Sequence, residues 1–380
     1  MKPSDISGSS PDLIEGFRSR GAARALLEKV RAYPGQASIM EVCGTHTVAL
    51  FKTGIRDAVP SSLRLISGPG CPVCVTPSRE VEKAIRLACL PGTVLFCFGD
   101  MVRVPGARGS IETARAGRGA RVRVMYSPLD ALEFAARERE TRVALFGVGF
   151  ETTIPLFASV LRRARGEGLR NVYLLSAFKL LPPAIEALLA RPGFRIDGLI
   201  LPGNVSAVIG ADAYRFVAER HHVPGVIAGF EAADILQAIL MLLDMIDKGK
   251  AGILNEYSRF STDRGNEKAL AAVREVFAPR DSEWRGLGVI PASGLGFREE
   301  FSRFDAESLL AEEIPPVPEP EGCLCGDVIA GAREPEECVL FGRRCTPSAP
   351  IGACMVSGEG TCAAHYRYGR SSRPDSSSPL

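Results

Sequence analysis

No run of apolar residues in this 380-residue chain is long enough to cross a membrane. The most apolar helical stretch, "DILQAILMLLDMI" at 234–246, falls short of the roughly 20 residues that a spanning helix needs, and it carries acids. It reads as a core helix. The opening residues, "MKPSDISGSSPDLIEGF", lack the apolar centre of a secretory leader, so a cytoplasmic location is expected. Charge of one sign is also missing. The formal net charge is +2, which gives no argument for nucleic acid or an anionic membrane as a partner. With 46% hydrophobic and 24% charged residues, the composition is that of a globular protein with ample core, and the length suits two or three domains.

Cysteine is absent from the middle of the chain. Five of the eleven lie between 43 and 97, none between 98 and 322, and six between 323 and 362, so two separate cysteine-based sites are implied. A reducing cytosol argues against a disulfide framework.

What is present is an alternation of short buried strands and amphipathic helices. "ASIMEV", "LRLIS", "TVLFCF", "VRVM", "RVALFGV", "VYLLS", "DGLILP" and "VPGVIAG" read as strands buried on both faces, with helical stretches such as "PSREVEKAIRLAC" between them. The pattern predicts an α/β fold with two parallel-sheet domains, followed by a small, loop-rich, cysteine-rich C-terminal domain. The expected division is an extension at 1–19, α/β domains at 20–139 and 140–260, a cysteine-bearing domain at 261–369 and a disordered tail at 370–380. No sequence repeat relates the two α/β halves.

Nearly every unusual motif follows a strand: "CGTHT", "GPGCPVC", "GDMVRVPG", "GFETT" and "GNVSAVIG". Ligands of open α/β sheets bind beyond the carboxyl ends of the strands, so these motifs are expected to share one cleft. Cys43 and His46 can face one metal, form an activated nucleophile, or be a buried pair. Cys71 and Cys74 precede a helix, among glycines and prolines that shape the loop. No second Cys-x-x-Cys pair exists to complete a zinc site, which favours thiol redox chemistry. Cys89 and Cys97 fall on an apolar helix face and in a buried strand, and read as core. Asp100 and Glu151 are strand-end carboxylates suited to acid, base or orienting roles; Asn204 and Ser206 suit capping or anion binding.

The six cysteines from Cys323 to Cys362 are separated by Gly, Pro and little apolar periodicity, so this segment needs a metal staple. Structural zinc and a [4Fe-4S] cluster both fit four thiolates, and the absence of paired knuckles favours the cluster. The chain also has no C-x3-C-x2-C run, which argues against a radical enzyme using S-adenosylmethionine.

Taken together, "EVCGTHT", "GPGCPVC", "CFGDMVRVPG", "GFETT", "PGNVSAVIG" and "LFGRRCTPSAPIGACMVSGEGTCAAHY" resemble the HypD family of [NiFe]-hydrogenase formation proteins, from about residue 20 to 368. The resemblance implies a maturation scaffold that assembles the Fe(CN)2CO group with HypC as stable partner, HypE delivering cyanide as a thiocyanate. It implies a transient iron site at Cys43 beside His46, and a redox pair at Cys71 and Cys74. It also implies a [4Fe-4S] cluster on Cys325, Cys338, Cys345 and Cys362, with Cys323 or Cys354 able to substitute. Asp100, Glu151 and Asn204 would orient or dock. The alternative is a stand-alone iron–sulfur thiol/disulfide oxidoreductase that needs neither Cys43 nor HypC. A third reading, a zinc-stabilised binding protein, needs no redox step at all.

Overall fold

The computed structural model describes residues 20–369; the expected N-terminal extension and C-terminal tail lie outside the described residues. Two parallel sheets organise the chain. The first has the order β2-β1-β7-β8-β9, built from β1 (Ala37–Glu41), β2 (Leu63–Ser67), β7 (Gly198–Pro202), β8 (Gly225–Ala228) and β9 (Ile253–Asn255). The second has the order β4-β3-β5-β6, from β3 (Thr93–Cys97), β4 (Val122–Val124), β5 (Arg142–Gly147) and β6 (Val172–Ser176). All the pairings within both are parallel, as continuous apolar strands with helical crossovers require. The α/β class holds.

All eight strands expected from the sequence are present. The sheets, however, divide the chain otherwise than at residue 140, which falls between β4 and β5 of one sheet. The chain starts the first sheet, leaves it after β2, builds the whole second sheet, and returns at β7. The charged stretch "ARERETR" marks a surface turn within the second unit, because charge reports exposure and says nothing of which strands pair. Cys97 is fully buried and Cys89 partly so.

After helix Glu267–Val276, where the sequence pattern dissolves, an antiparallel hairpin forms from β10 (Phe277–Trp284) and β11 (Gly288–Phe297). It is docked on the second sheet: Leu180 N donates to Ser293 O at 2.8 Å, and Ser176 Oγ to Leu295 O at 2.6 Å. Its turn reaches the C-terminal segment, where short helices Cys325–Ile329, Ala353–Val356 and Thr361–Tyr368 are linked by loops.

Candidate functional site

β1, β2, β7 and β8 present their carboxyl ends together, and the loops that follow carry "CGTHT", "GPGCPVC", "GNVS" and Gly229–Phe230. Cys43 ends the β1 excursion and N-caps helix Gly44–Lys52. Only 6% exposed, it touches the second cysteine loop directly: Gly44 N donates to Gly70 O at 3.0 Å. A β-carbon on Gly70 would lie 2.1 Å from Cys43 N, so glycine is required for the two loops to meet backbone to backbone. Burial pushes the Cys43 thiol up to about 12, and the backbone N–H of His46 offsets only part of this.

His46 is fully buried behind Cys43, its ring 4.7 Å from Phe230. Its Nε2 lies 2.9 Å from Gly229 O. A carbonyl only accepts, so Nε2 carries the hydrogen and Nδ1, which has no partner, keeps its lone pair. Burial pushes the imidazole down to about 4, so it stays neutral near pH 7. Two acids missed by sequence reasoning complete the surroundings of Cys43. Glu41, fully buried, accepts from Cys43 N at 3.1 Å and from Thr47 Oγ1 at 2.5 Å. Burial lifts it to about 7, although these hydrogen bonds oppose the shift. Glu359 comes from the far end of the chain and accepts from Thr45 Oγ1 at 2.8 Å. Glu41 had a signal, an acid inside an apolar strand; Glu359, in a polar loop, had none.

Cys71 N-caps the four-residue helix Pro72–Val75 and forms a disulfide with Cys74, with Cα atoms 5.3 Å apart. Both are buried. That helix packs against helices Cys325–Ile329 and Ala353–Val356. The disulfide shares one apolar core with Cys325, Cys345, Cys354 and Cys362, while its loop meets the Cys43 loop on the other side.

The six C-terminal cysteines line a single small hollow together with Leu324, Phe341, Gly352 and Met355. Cys325, Cys345, Cys354 and Cys362 are buried, and Cys323 and Cys338 partly so. Gly352 is needed here, since a β-carbon would lie 2.8 Å from Cys323 Sγ. Backbone amides already point at sulfur: Ile351 N at 3.3 Å from Cys345 Sγ, and Cys362 N at 3.2 Å from Cys354 Sγ. The Cys325 thiol beside it, and then burial, push Cys323 upward. Converging thiols of this kind fit a soft metal or a metal–sulfide cluster, which removes their protons on binding. The geometry brings six candidates together without choosing four.

The strand-end carboxylates part company. Asp100, exposed at the end of β3, accepts from Ser357 Oγ at 3.3 Å and so touches the loop that carries Glu359. Glu151 is buried, accepts from Leu181 N at 2.8 Å, and faces an apolar cavity of about 340 Å³ with its second oxygen unpartnered. Burial lifts it to about 7. Burial pushes the nearby Tyr214 phenol up, and Glu151 and Cys43, when ionised, add to that shift. Asn204 is exposed and bonds its own neighbour, Val205 N at 2.9 Å, while Ser206 Oγ donates back to Pro202 O at 2.7 Å. Both make local helix-start contacts.

Residues 21–369 match the HypD family model, described as "Hydrogenase formation hypA family". The chain belongs to the HypD family. Hydrogenase maturation factor HypD of Azotobacter vinelandii is 45% identical over 367 residues, covering 94% of this chain and 97% of that protein. The protein of the same name from Rhodobacter capsulatus is 44% identical over 366 residues, covering 93% and 97%. That from Escherichia coli K12 is 41% identical over 364 residues, covering 93% and 97%. All eleven cysteines fall inside the matched region. Among the described residues, no helix is long and apolar enough to cross a membrane.

Proposed function

We propose that this HypD-family chain acts in hydrogenase maturation as a cytoplasmic scaffold on which, with HypC and HypE, the Fe(CN)2CO group is assembled. The observation that carries the reading is the direct contact between the Cys43 and Cys71 loops, Gly44 N to Gly70 O, with the disulfide helix packed on the C-terminal cysteines behind it.

In this reading the iron is cargo, held at Cys43 Sγ and by a thiolate from HypC. A buried thiol held as high as about 12 is neutral until a soft cation replaces its proton, so Cys43 itself carries no charge before iron binds. His46 Nδ1, which has no partner, and the Glu41 carboxyl, bonded to Cys43 N, are placed to accept or pass that proton. Reduced Cys71 and Cys74 supply the electron pair for cyanide release: R–S–CN plus the two thiols gives R–SH, HCN and the disulfide. The S–C bond breaks, the thiocyanate is reduced, and the dithiol is oxidised. Cyanide then needs only to lose its proton to bind iron next door.

Cys325, Cys338, Cys345 and Cys362 would hold a [4Fe-4S] cluster, with Cys323 and Cys354 in the same hollow. When bound, such a cluster exchanges single electrons with an external donor. The chain's own contribution is to bury Cys325, Cys345 and Cys362 away from water and to pack the helices of Cys325 and Cys354 against the disulfide helix.

The test is Cys43→Ala, co-expressed anaerobically with HypC. We expect cyanide and CO infrared bands to disappear from the complex, with iron–sulfur content unchanged. Bands that persist would refute the iron site. A chain that never co-purifies with HypC would favour the stand-alone oxidoreductase.

A further inference from the structure

Arg285 sits at the turn of the β10–β11 hairpin and is 3% exposed, although it carries a charge. Its guanidinium donates to Thr76 O from Nε and Nη2, at 3.2 and 2.8 Å, and to Ser78 Oγ from Nη1 at 3.2 Å. Its backbone N donates to Val75 O at 2.9 Å. Val75 follows Cys74 directly, and Thr76 caps the disulfide helix. The next residue, Gly286, has φ +78° and lies so close to Gly326 that a β-carbon would come within 2.4 Å of its backbone. Gly326 is the neighbour of Cys325. One cation therefore lies between the disulfide loop and the cysteine hollow.

We propose that Arg285 is a positioning residue that raises the reduction potential of the group held by the C-terminal cysteines while clamping the Cys71–Cys74 loop against it. The inference rests on the cluster reading given above. Two neutral acceptors, Thr76 O and Ser78 Oγ, do not require a full charge, and burying one costs several kcal/mol unless anions face it. Glu319, in the proline-rich linker "EEIPPVPEPEG" at 312–322 and 37% exposed, is its carboxylate partner. Both charges border the cysteine hollow: Gly286, next to Arg285, abuts Gly326 beside Cys325, and Glu319 precedes Pro320, whose carbonyl accepts from Cys323 N at 3.0 Å. A cluster bound by four thiolates is anionic and becomes more so on taking up one electron. A fixed cation in a dry setting stabilises the reduced form, and an anion destabilises it.

The experiment is an EPR-monitored potential titration of the anaerobically purified full chain, with dithionite as electron source, beside iron and sulfide analysis. Arg285→Met should shift the midpoint negative by at least tenfold in the reduction equilibrium, about 59 mV for one electron. Arg285→Lys should keep most of the wild-type potential. Glu319→Gln, at a half-exposed linker site, should shift it the opposite way. Unchanged potentials in Met and Gln variants that retain the cluster overturn the inference and leave the cluster reading intact. If the Met variant loses its iron, Glu319→Gln decides alone, and no positive shift overturns the proposal. A wild-type chain without iron and sulfide sinks the cluster reading, and this inference with it.

Discussion

At the residue scale, the interior is marked by ionisable groups held in their neutral forms. Cys43, His46, Glu41 and Glu151 are all buried, and burial moves each toward the uncharged state. Glu151 allows this to be tested away from the cysteines. Burial raises it from an ordinary 4.5 to about 7, so the folded chain binds this proton more tightly than the unfolded one. The contribution of Glu151 to stability is then largest below pH 4.5, falls as pH climbs toward 7, and levels off above it, an interval worth about 3 kcal/mol at most. Glu151→Gln stays neutral throughout. Its unfolding free energy in urea should gain on wild type between pH 5 and pH 8. A difference that stays constant with pH would show that the carboxyl is ionised in the folded state.

At the scale of elements, the loop around Glu359 is docked on helix Gly44–Lys52 by few groups. A β-carbon on Gly44 would lie 2.5 Å from Glu359 O, and Thr45 supplies the hydroxyl that Glu359 accepts. Thr45→Val removes that donor while keeping the shape. Amide exchange should rise several-fold at 357–361, for a cost of about 1 kcal/mol, and exchange in β1 should not change. Equal exchange in both proteins would mean that the glycine contact alone holds the loop. The buried parallel strands were legible because continuous apolar runs between helical stretches admit few other readings. The β10–β11 hairpin was not. "FAPRDSEW" and "GVIPASGLGF" mix Pro, Gly and charge, and their strand form depends on docking to Leu180 and Ser176.

On the scale of the whole molecule, the C-terminal segment acts as a clasp over both sheets. Ser357 reaches Asp100, and Arg103 Nη2 donates to Pro347 O at 2.7 Å. Arg56 Nη2 pairs with Glu334 at 3.2 Å, and the His365 ring lies 4.6 Å from Phe51. Glu334, Glu336 and His365 lie close enough to suggest a metal, but Arg56 pairs with Glu334 and His365 Nδ1 lies in hydrogen-bond reach of Glu336 at 2.8 Å, so protein groups already partner both acids. The sheets have large apolar cores of their own, whereas the segment from 323 has none apart from its cysteines and the few residues, such as Val328, Ile329, Met355 and Val356, that it adds to a core shared with the sheets. Oxidative loss of a bound cluster should therefore open 320–369 to proteolysis while leaving the far-ultraviolet dichroism of the sheets nearly unchanged. A single cooperative loss of both would show that the clasp and the sheets fold as one unit.

The sequence by itself determined the types of chemistry and their places along the chain: thiols in two groups, most motifs after strands, and an α/β scaffold. These are local properties, carried by hydrophobic period and by which residues precede a helix. Only the tertiary structure decided what meets what. It separated β3–β6 into their own sheet, laid Gly70 against Cys43, gathered six cysteines in one hollow, and brought Glu359 and Arg285 from distant loops to the two cysteine loops. Such contacts join residues up to 314 positions apart, and no local pattern encodes them. They follow from loops closing only when the whole set of strands and the clasp are in place.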